Sequence, residues 1–129
     1  MKLFILTLFL LFALIGCDRE IVSDSELSNK DNGQNIEYLA NMRFNLNLEG
    51  NPSTGYNWKI LAMDSSKIEY LGHSDYVYIE PIKPGSSGRC TYEFKTKGKG
   101  NSILKLGYLR EWEKGIPPID SFKVNINIK

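Results

Sequence analysis

The stretch Arg-Phe-Asn-Leu-Asn-Leu-Glu at residues 43–49 decides the fold, because apolar and polar side chains alternate along it without a break. The stretch Phe-Lys-Val-Asn-Ile-Asn-Ile-Lys at residues 122–129 alternates in the same way. A period of two places every second side chain on one face, as in an antiparallel strand with one buried and one solvated face. Both stretches are therefore predicted to be half-buried strands.

Shorter runs of the same character lie between these two stretches. They are separated by clusters of Gly, Pro, Asn and Ser, and helical periodicity does not persist over ten residues in any of them. These runs lie at residues 56–62, 68–71, 76–79, 90–95 and 103–109. Short strands with frequent turn signals predict an all-β fold, an immunoglobulin-like antiparallel β-sandwich of about seven or eight strands. An up-and-down barrel stays open as the alternative, because the pattern does not fix strand order.

The N-terminus has a different character from the rest of the chain. Lys2 precedes an apolar run over residues 3–15 that ends at Gly16. This pattern is typical of a signal peptide over residues 1–16, and a run of roughly a dozen residues is too short to span a bilayer. The tetrapeptide Leu-Ile-Gly-Cys ending at Cys17 resembles the lipobox of bacterial lipoproteins, in which the cysteine thiolate accepts the lipid. The protein is expected to be exported and lipid-anchored to the bacterial cell envelope, in the inner or the outer membrane.

The segment that follows the lipobox is polar and rich in turn-forming residues. Such a segment buries too little apolar surface to order itself. Residues 17–35 are therefore predicted to be the lipidated cysteine and a flexible tether. The folded domain is expected over residues 36–129.

Composition argues against several functional classes. The chain has 16 Lys+Arg against 15 Asp+Glu, so the sequence does not predict nucleic-acid binding. Its two cysteines cannot build a disulfide framework if Cys17 is lipidated, and Cys90 shares a strand face with Tyr92 and Phe94, which predicts a buried thiol. His73 is the single histidine, and the sequence has neither a Cys-x-x-Cys motif nor a metal-ligand cluster. The protein is predicted not to be an enzyme and to need no metal, cofactor or small-molecule substrate.

The first informative loop follows the strand at residues 43–49. Pro52 fixes its own φ and disfavours helical backbone at Asn51, and Gly55 can adopt a positive φ. These features predict a stiff turn with Ser53 and Thr54 at its tip, although an ordinary turn between two strands is the simpler alternative. The residues of this motif are Asn51, Pro52, Ser53, Thr54, Gly55 and Tyr56.

Two later loops carry further candidate residues. One is small and flexible, and it contains Gly85, Ser86, Ser87 and Gly88. The other, at residues 109–118, places Arg110 and Trp112 just beyond a predicted strand. Trp and Arg are among the residues most enriched in interface hot spots. A Trp112 that folds back to cap the core is the alternative for this loop.

Together these motifs resemble a known family. The run Asn-Pro-Ser-Thr-Gly-Tyr at residues 51–56, the Gly85-x-x-Gly88 pair and Arg110-x-Trp112 are similar, in that order, to the three signature loops of the chagasin family of cysteine peptidase inhibitors. The resemblance covers the predicted domain. One position departs from the family pattern, because the residue between Arg110 and Trp112 is glutamate where the family has proline.

The resemblance implies a reversible inhibitor of papain-like cysteine peptidases that acts without a covalent step. Thr54 and its neighbours would lie over the catalytic Cys and His of the peptidase, the Gly85-x-x-Gly88 loop along one side of the cleft, and Arg110 with Trp112 along the other. All three loops emerge at one end of a sandwich if residues 68–79 form one bent strand, the count that the family fold favours. The alternative function is a lipid-anchored, immunoglobulin-like surface recognition module that binds another protein or a glycan.

Overall fold

The computed structural model describes residues 25–78 and 87–129. Within these residues nine strands form two sheets whose apolar faces enclose one core. Two short 3-10 helices, Asn29–Asp31 and Pro52–Thr54, lie in connections between strands. The strands are β1 (Ser25–Ser28), β2 (Asn35–Tyr38), β3 (Arg43–Gly50), β4 (Asn57–Ala62), β5 (Ile68–His73), β6 (Val77–Tyr78), β7 (Gly88–Thr96), β8 (Gly100–Leu109) and β9 (Asp120–Ile128).

The predicted sandwich is confirmed. One sheet has the order β1-β3-β7-β5, with β6 also paired to β7, and the other has the order β2-β9-β8-β4. The alternating apolar side chains of β3 and β9 all point into the core, where Phe44, Phe94 and Phe122 are its largest fully buried members. Cys90 is also buried and its thiol donates a hydrogen bond to the backbone oxygen of Ser74 at 3.0 Å, so the predicted core thiol is confirmed.

Residues 25–35 correct two sequence predictions. β1 pairs with β3, and β2 with β9, in parallel, so the sandwich is not wholly antiparallel. Leu27 on β1 is only 4% exposed, which shows that this segment is part of the core and not of a flexible tether. Residues 1–24, with the predicted signal peptide and Cys17, lie outside the described residues. In the part of the chain that the structure describes, no helix is long and apolar enough to cross a membrane.

β5 and β6 form one interrupted strand along β7. His73 lies opposite Tyr92 and Val77 lies opposite Arg89, so both segments run in the same direction, with a register shift at Gly72. This arrangement confirms the prediction of one bent strand. β6 is described over Val77–Tyr78, and Ile79 lies outside the described residues.

Within the described residues, the ends of six strands meet at one end of the sandwich. Gly50 at the end of β3 lies opposite Gly88 at the start of β7, and Asn57 at the start of β4 lies opposite Leu109 at the end of β8. β9 begins beside the same end of β8. The connections β3–β4, β6–β7 and β8–β9 therefore all emerge here, and this is called the loop end below.

Candidate functional site

Loop 1, residues 51–56, is shaped by its own backbone. Asn51 is extended, with φ −120° and ψ 100°, and its Oδ1 accepts hydrogen bonds from the backbone N of Ser53 at 3.1 Å and from Ser53 Oγ at 2.5 Å. Thr54 Oγ1 donates to the backbone oxygen of Asn51 at 2.7 Å, and Gly55 ends the turn at φ 80°. The predicted turn is present, and Ser53 and Thr54 are exposed at its tip.

Packed aromatic side chains support loop 1. Tyr108 Oη accepts a hydrogen bond from the backbone N of Asn51 at 2.8 Å. The Tyr108 ring packs against the rings of Tyr56 and Trp58, with centroid distances of 5.4 and 5.1 Å. Trp58 is buried, and its indole N–H donates to the backbone oxygen of Glu49 at 3.0 Å. Loop 1 is thus attached to the core through side chains whose polar atoms are hydrogen-bonded.

Loop 3, residues 110–119, begins with an arginine that contacts loop 1. Arg110 Nε donates to the backbone oxygen of Thr54 at 3.0 Å, and its guanidinium lies 4.3 Å from the centroid of the Tyr56 ring. Its Nη1 lies 3.0 Å from Glu113 Oε1, and this hydrogen bond raises the pKa of Arg110. These contacts link loop 3 to loop 1.

Trp112 is 65% exposed, so the core-capping alternative is wrong. Its ring lies against the backbone of loop 1: a Cβ built on Gly55 would be 2.3 Å from Trp112 Cη2. Only glycine leaves room for the indole at this distance. Trp112 and the tip of loop 1 therefore form one continuous exposed surface.

Two contacts that sequence reasoning missed also hold loop 3, one with Lys59 and one with Gly107. Glu111 Oε1 lies 2.6 Å from Lys59 Nζ on β4, and this hydrogen bond lowers the pKa of Glu111. On the outer face of the second sheet, a Cβ on Gly107 would be 2.8 Å from Pro118 Cγ and 2.6 Å from Leu61 Cδ1. The glycine at this position lets the end of loop 3 fold onto the sheet. In the sequence, Gly107 interrupts the alternation of β8, and a glycine inside a strand can indicate that another segment approaches closely.

Loop 2, the β6–β7 connection, is described only at its end. Gly85 and Ser86 lie outside the described residues. Ser87 is exposed, and Gly88 is buried at the start of β7 opposite Gly50. Loop 2 therefore rejoins the sheet beside the base of loop 1, as the predicted three-loop arrangement requires.

Two kinds of comparison relate this loop end to known proteins. The sequence model of the chagasin family peptidase inhibitor I42 matches residues 39–126, which include loops 1 and 3 and the whole of β3–β8. The chain belongs to the chagasin family. Among curated proteins, this chagasin-family chain is 30% identical to amoebiasin-2 of Entamoeba histolytica over 125 residues, which cover 94% of this chain and 98% of amoebiasin-2.

Solved structures show the same chagasin-type sandwich. The crystal structure of the cysteine protease inhibitor EhICP2 from Entamoeba histolytica matches with a TM-score of 0.71 and 27% identity, over 81% of this chain and 95% of that one. The structure of PbICP-C in complex with falcipain-2 matches with a TM-score of 0.56 and 13% identity, over 84% of this chain and 92% of that one. The second likeness concerns the fold alone.

Proposed function

We propose that this chagasin-family protein reversibly inhibits papain-like cysteine peptidases by inserting its loop end into the active-site cleft. The observation that carries the proposal is the joint surface of loops 1 and 3, in which exposed Trp112 lies on Gly55 beside the Thr54 backbone. Among the similar proteins, EhICP2 is described as a cysteine protease inhibitor. Exposed loops that adjoin at one end of a sandwich are suited to insertion into a cleft.

The mechanism is occlusion by a surface that is ordered before binding. Loop 1 places Thr54 over the catalytic Cys and His of the peptidase, Trp112 and Arg110 lie along one wall of the cleft, and loop 2 lies along the other. Because loop 1 is already fixed by the Asn51 hydrogen bonds, it loses little conformational entropy when it docks. An interface of about 1,600 Å² in total is expected for such a complex.

Charge at the loop end supports insertion into a cleft. Residues 51–56 carry no charged side chain, and three of the charges on loop 3 are already paired within the protein, Arg110 with Glu113 and Glu111 with Lys59. An unpaired charge that is desolvated in an interface opposes binding. Loop 1 and Trp112 can therefore be buried without leaving a charge of their own unpaired.

Titration of papain and of a serine peptidase such as trypsin tests the function. We expect stoichiometric loss of papain activity that recovers on dilution, with trypsin unaffected. Thr54→Arg should clash at the catalytic centre and raise the papain inhibition constant at least ten-fold, about 1.4 kcal/mol, whereas the matched control Thr54→Ser should change it little. Papain that stays active with excess protein would contradict the proposal and favour a surface recognition module.

We also propose that the protein is an exported lipoprotein of the bacterial cell envelope, anchored through Cys17. The support is the leader and lipobox pattern of residues 1–17. Expression of the full chain in bacteria, followed by detergent partitioning, tests this proposal. Cys17→Ser should move the protein from the detergent to the aqueous phase, while the control Cys90→Ser should leave it in the detergent phase because Cys90 is buried in the domain. A Cys17→Ser protein that still partitions into detergent would refute the anchor.

A further inference from the structure

Glu111 and Lys59 connect the tip of loop 3 to a different part of the fold. Glu111 immediately precedes Trp112, and its Oε1 lies 2.6 Å from the Nζ of Lys59 on β4. β4 is hydrogen-bonded to β8 on one side, so Lys59 projects from a strand of the second sheet. The ion pair therefore links the residue next to Trp112 to a strand that is hydrogen-bonded to β8.

Arg110 and Glu113, which flank Glu111 and Trp112 in the sequence, are held by contacts other than the one with β4. Arg110 donates to the Thr54 backbone oxygen and pairs with Glu113, so the residues on both sides of the indole are engaged. The indole itself is 65% exposed and lies against Gly55, and the Arg110 guanidinium lies 5.8 Å from the centroid of its ring. Its direction therefore depends on Arg110 and on how the loop backbone at residues 110–113 is fixed. Glu111 links that backbone to β4, whereas Arg110 links it to loop 1.

We propose that Lys59 and Glu111 are positioning residues, which hold Trp112 over Gly55 in the orientation that peptidase binding requires. The proposal rests on the function proposed above and adds to it a pair of residues that need not touch the peptidase. It also makes inhibition sensitive to salt. Both side chains are substantially exposed, 44% for Lys59 and 65% for Glu111, so dissolved ions reach them.

The expected size of the effect follows from this exposure. Exposed ion pairs make small contributions, which correspond to about a two- to five-fold change in an equilibrium constant. Salt should remove most of the effect, because the screening length falls from about 10 Å at 0.1 M to about 3 Å at 1 M. A positioning role predicts a change of this order, well below that of removing Trp112 itself.

A double-mutant cycle on papain inhibition tests the proposal. Lys59→Met and Glu111→Gln should each raise the inhibition constant about two- to five-fold at low salt, and the double variant should be no weaker than either single one. The charge-reversed pair Lys59→Glu with Glu111→Lys should recover most of the loss. At 1 M salt the wild type and all variants should converge, and the thermal midpoints should stay close together.

The chain offers a matched control pair at the opposite end of the sandwich. Lys129 Nζ lies 3.0 Å from Glu37 Oε1, with side-chain exposures of 60% and 65%. Glu37→Gln and Lys129→Met remove the same charges from a comparable pair that is remote from the loops. They should leave the inhibition constant unchanged, which separates positioning from a general effect of net charge.

A second measurement needs no peptidase. With 5-fluorotryptophan the protein has two fluorine resonances, one from buried Trp58 and one from exposed Trp112, which Trp112→Phe assigns. Lys59→Met and 1 M salt should shift the Trp112 resonance in the same direction and leave that of Trp58 in place.

An unchanged Trp112 resonance, or additive effects of Lys59→Met and Glu111→Gln on the inhibition constant, would overturn the positioning role. If the wild type inhibits no cysteine peptidase, the proposed function is wrong, but this result does not test the positioning role of the ion pair. The fluorine spectra then still show whether the ion pair orients Trp112.

Discussion

Loops 1 and 3 meet at Gly55 but are held in different ways. The hydrogen bonds that form the turn of loop 1 join residues no more than three positions apart, from Asn51 to Ser53, Thr54 and the Pro52–Thr54 turn, and Tyr108 Oη attaches the start of that turn to β8. Loop 3 has a local contact between Arg110 and Glu113, but it is also held by partners far away in sequence, the Thr54 backbone and Lys59. The difference indicates that loop 1 keeps its shape independently, whereas the position of loop 3 depends on the rest of the domain.

Removing the indole should have the largest effect on inhibition and almost none on folding. Trp112→Ala should raise the papain inhibition constant at least ten-fold, about 1.4 kcal/mol or more, as hot-spot tryptophans do. Because Trp112 is exposed, the thermal midpoint should hardly move. Buried Trp58 gives the contrast, since Trp58→Ala should cost about 3–5 kcal/mol of unfolding free energy. A Trp112→Ala protein that melts well below the wild type and still inhibits normally would contradict the assignment.

The contact between the two loops can be broken at Gly55. Gly55→Ala places a methyl group in the space of the Trp112 ring and strains a backbone at φ 80°. We expect inhibition to weaken several-fold, and the strain to cost about 1 kcal/mol of unfolding free energy.

Gly33→Ala is the matched control, because its φ is 83° and nothing lies within 4 Å of the added Cβ. It should destabilise the protein by a similar amount without weakening inhibition of papain. Equal inhibition by the two variants would mean that the contact between Gly55 and Trp112 does not matter for binding.

The smallest expected difference between loops 1 and 3 is their response to a fall in pH. The hydrogen bond and the charge of Lys59, with a contribution from Lys114, lower the pKa of Glu111 below its ordinary value of 4.5. A lowered folded-state pKa means that the ion pair is complete above pH 4.5 and is lost as the pH falls through the lowered value. The fluorine resonance of Trp112 should move in that range, while the amide resonance of Ser53, bonded to the uncharged Asn51, should stay flat. Equal movement of both signals would show that the loops are not independently held.

The same contrast explains what the sequence could predict. Alternation identified the core residues of β3 and β9, and local chemistry identified the loop 1 turn, because Asn51, Pro52 and Gly55 determine their backbone within a few positions. The pairing of Glu111 with Lys59 joins residues 52 positions apart, and no local pattern marks it. The resemblance to the chagasin family located Arg110 and Trp112 but not the contacts that hold them.

The N-terminal strands were missed for a related reason. β1 places only Leu27 in the core and pairs with a strand that lies nearly twenty residues further along. A four-residue segment with one buried side chain has no period to detect. Its order comes from the parallel neighbour, which the sequence of the segment itself does not specify.

The parallel pairing of β1 with β3 also determines at which end of the sandwich the domain is joined to anything that precedes Ser25. Ser25 lies opposite Phe44, near the start of β3, and β3 ends at Gly50 in the loop end. The chain therefore enters the domain from the side that faces away from the three loops. An attachment made at Ser25 would therefore lie at the end of β3 opposite the loops. A layer of molecules attached in this way would present every Trp112 to the surrounding solution.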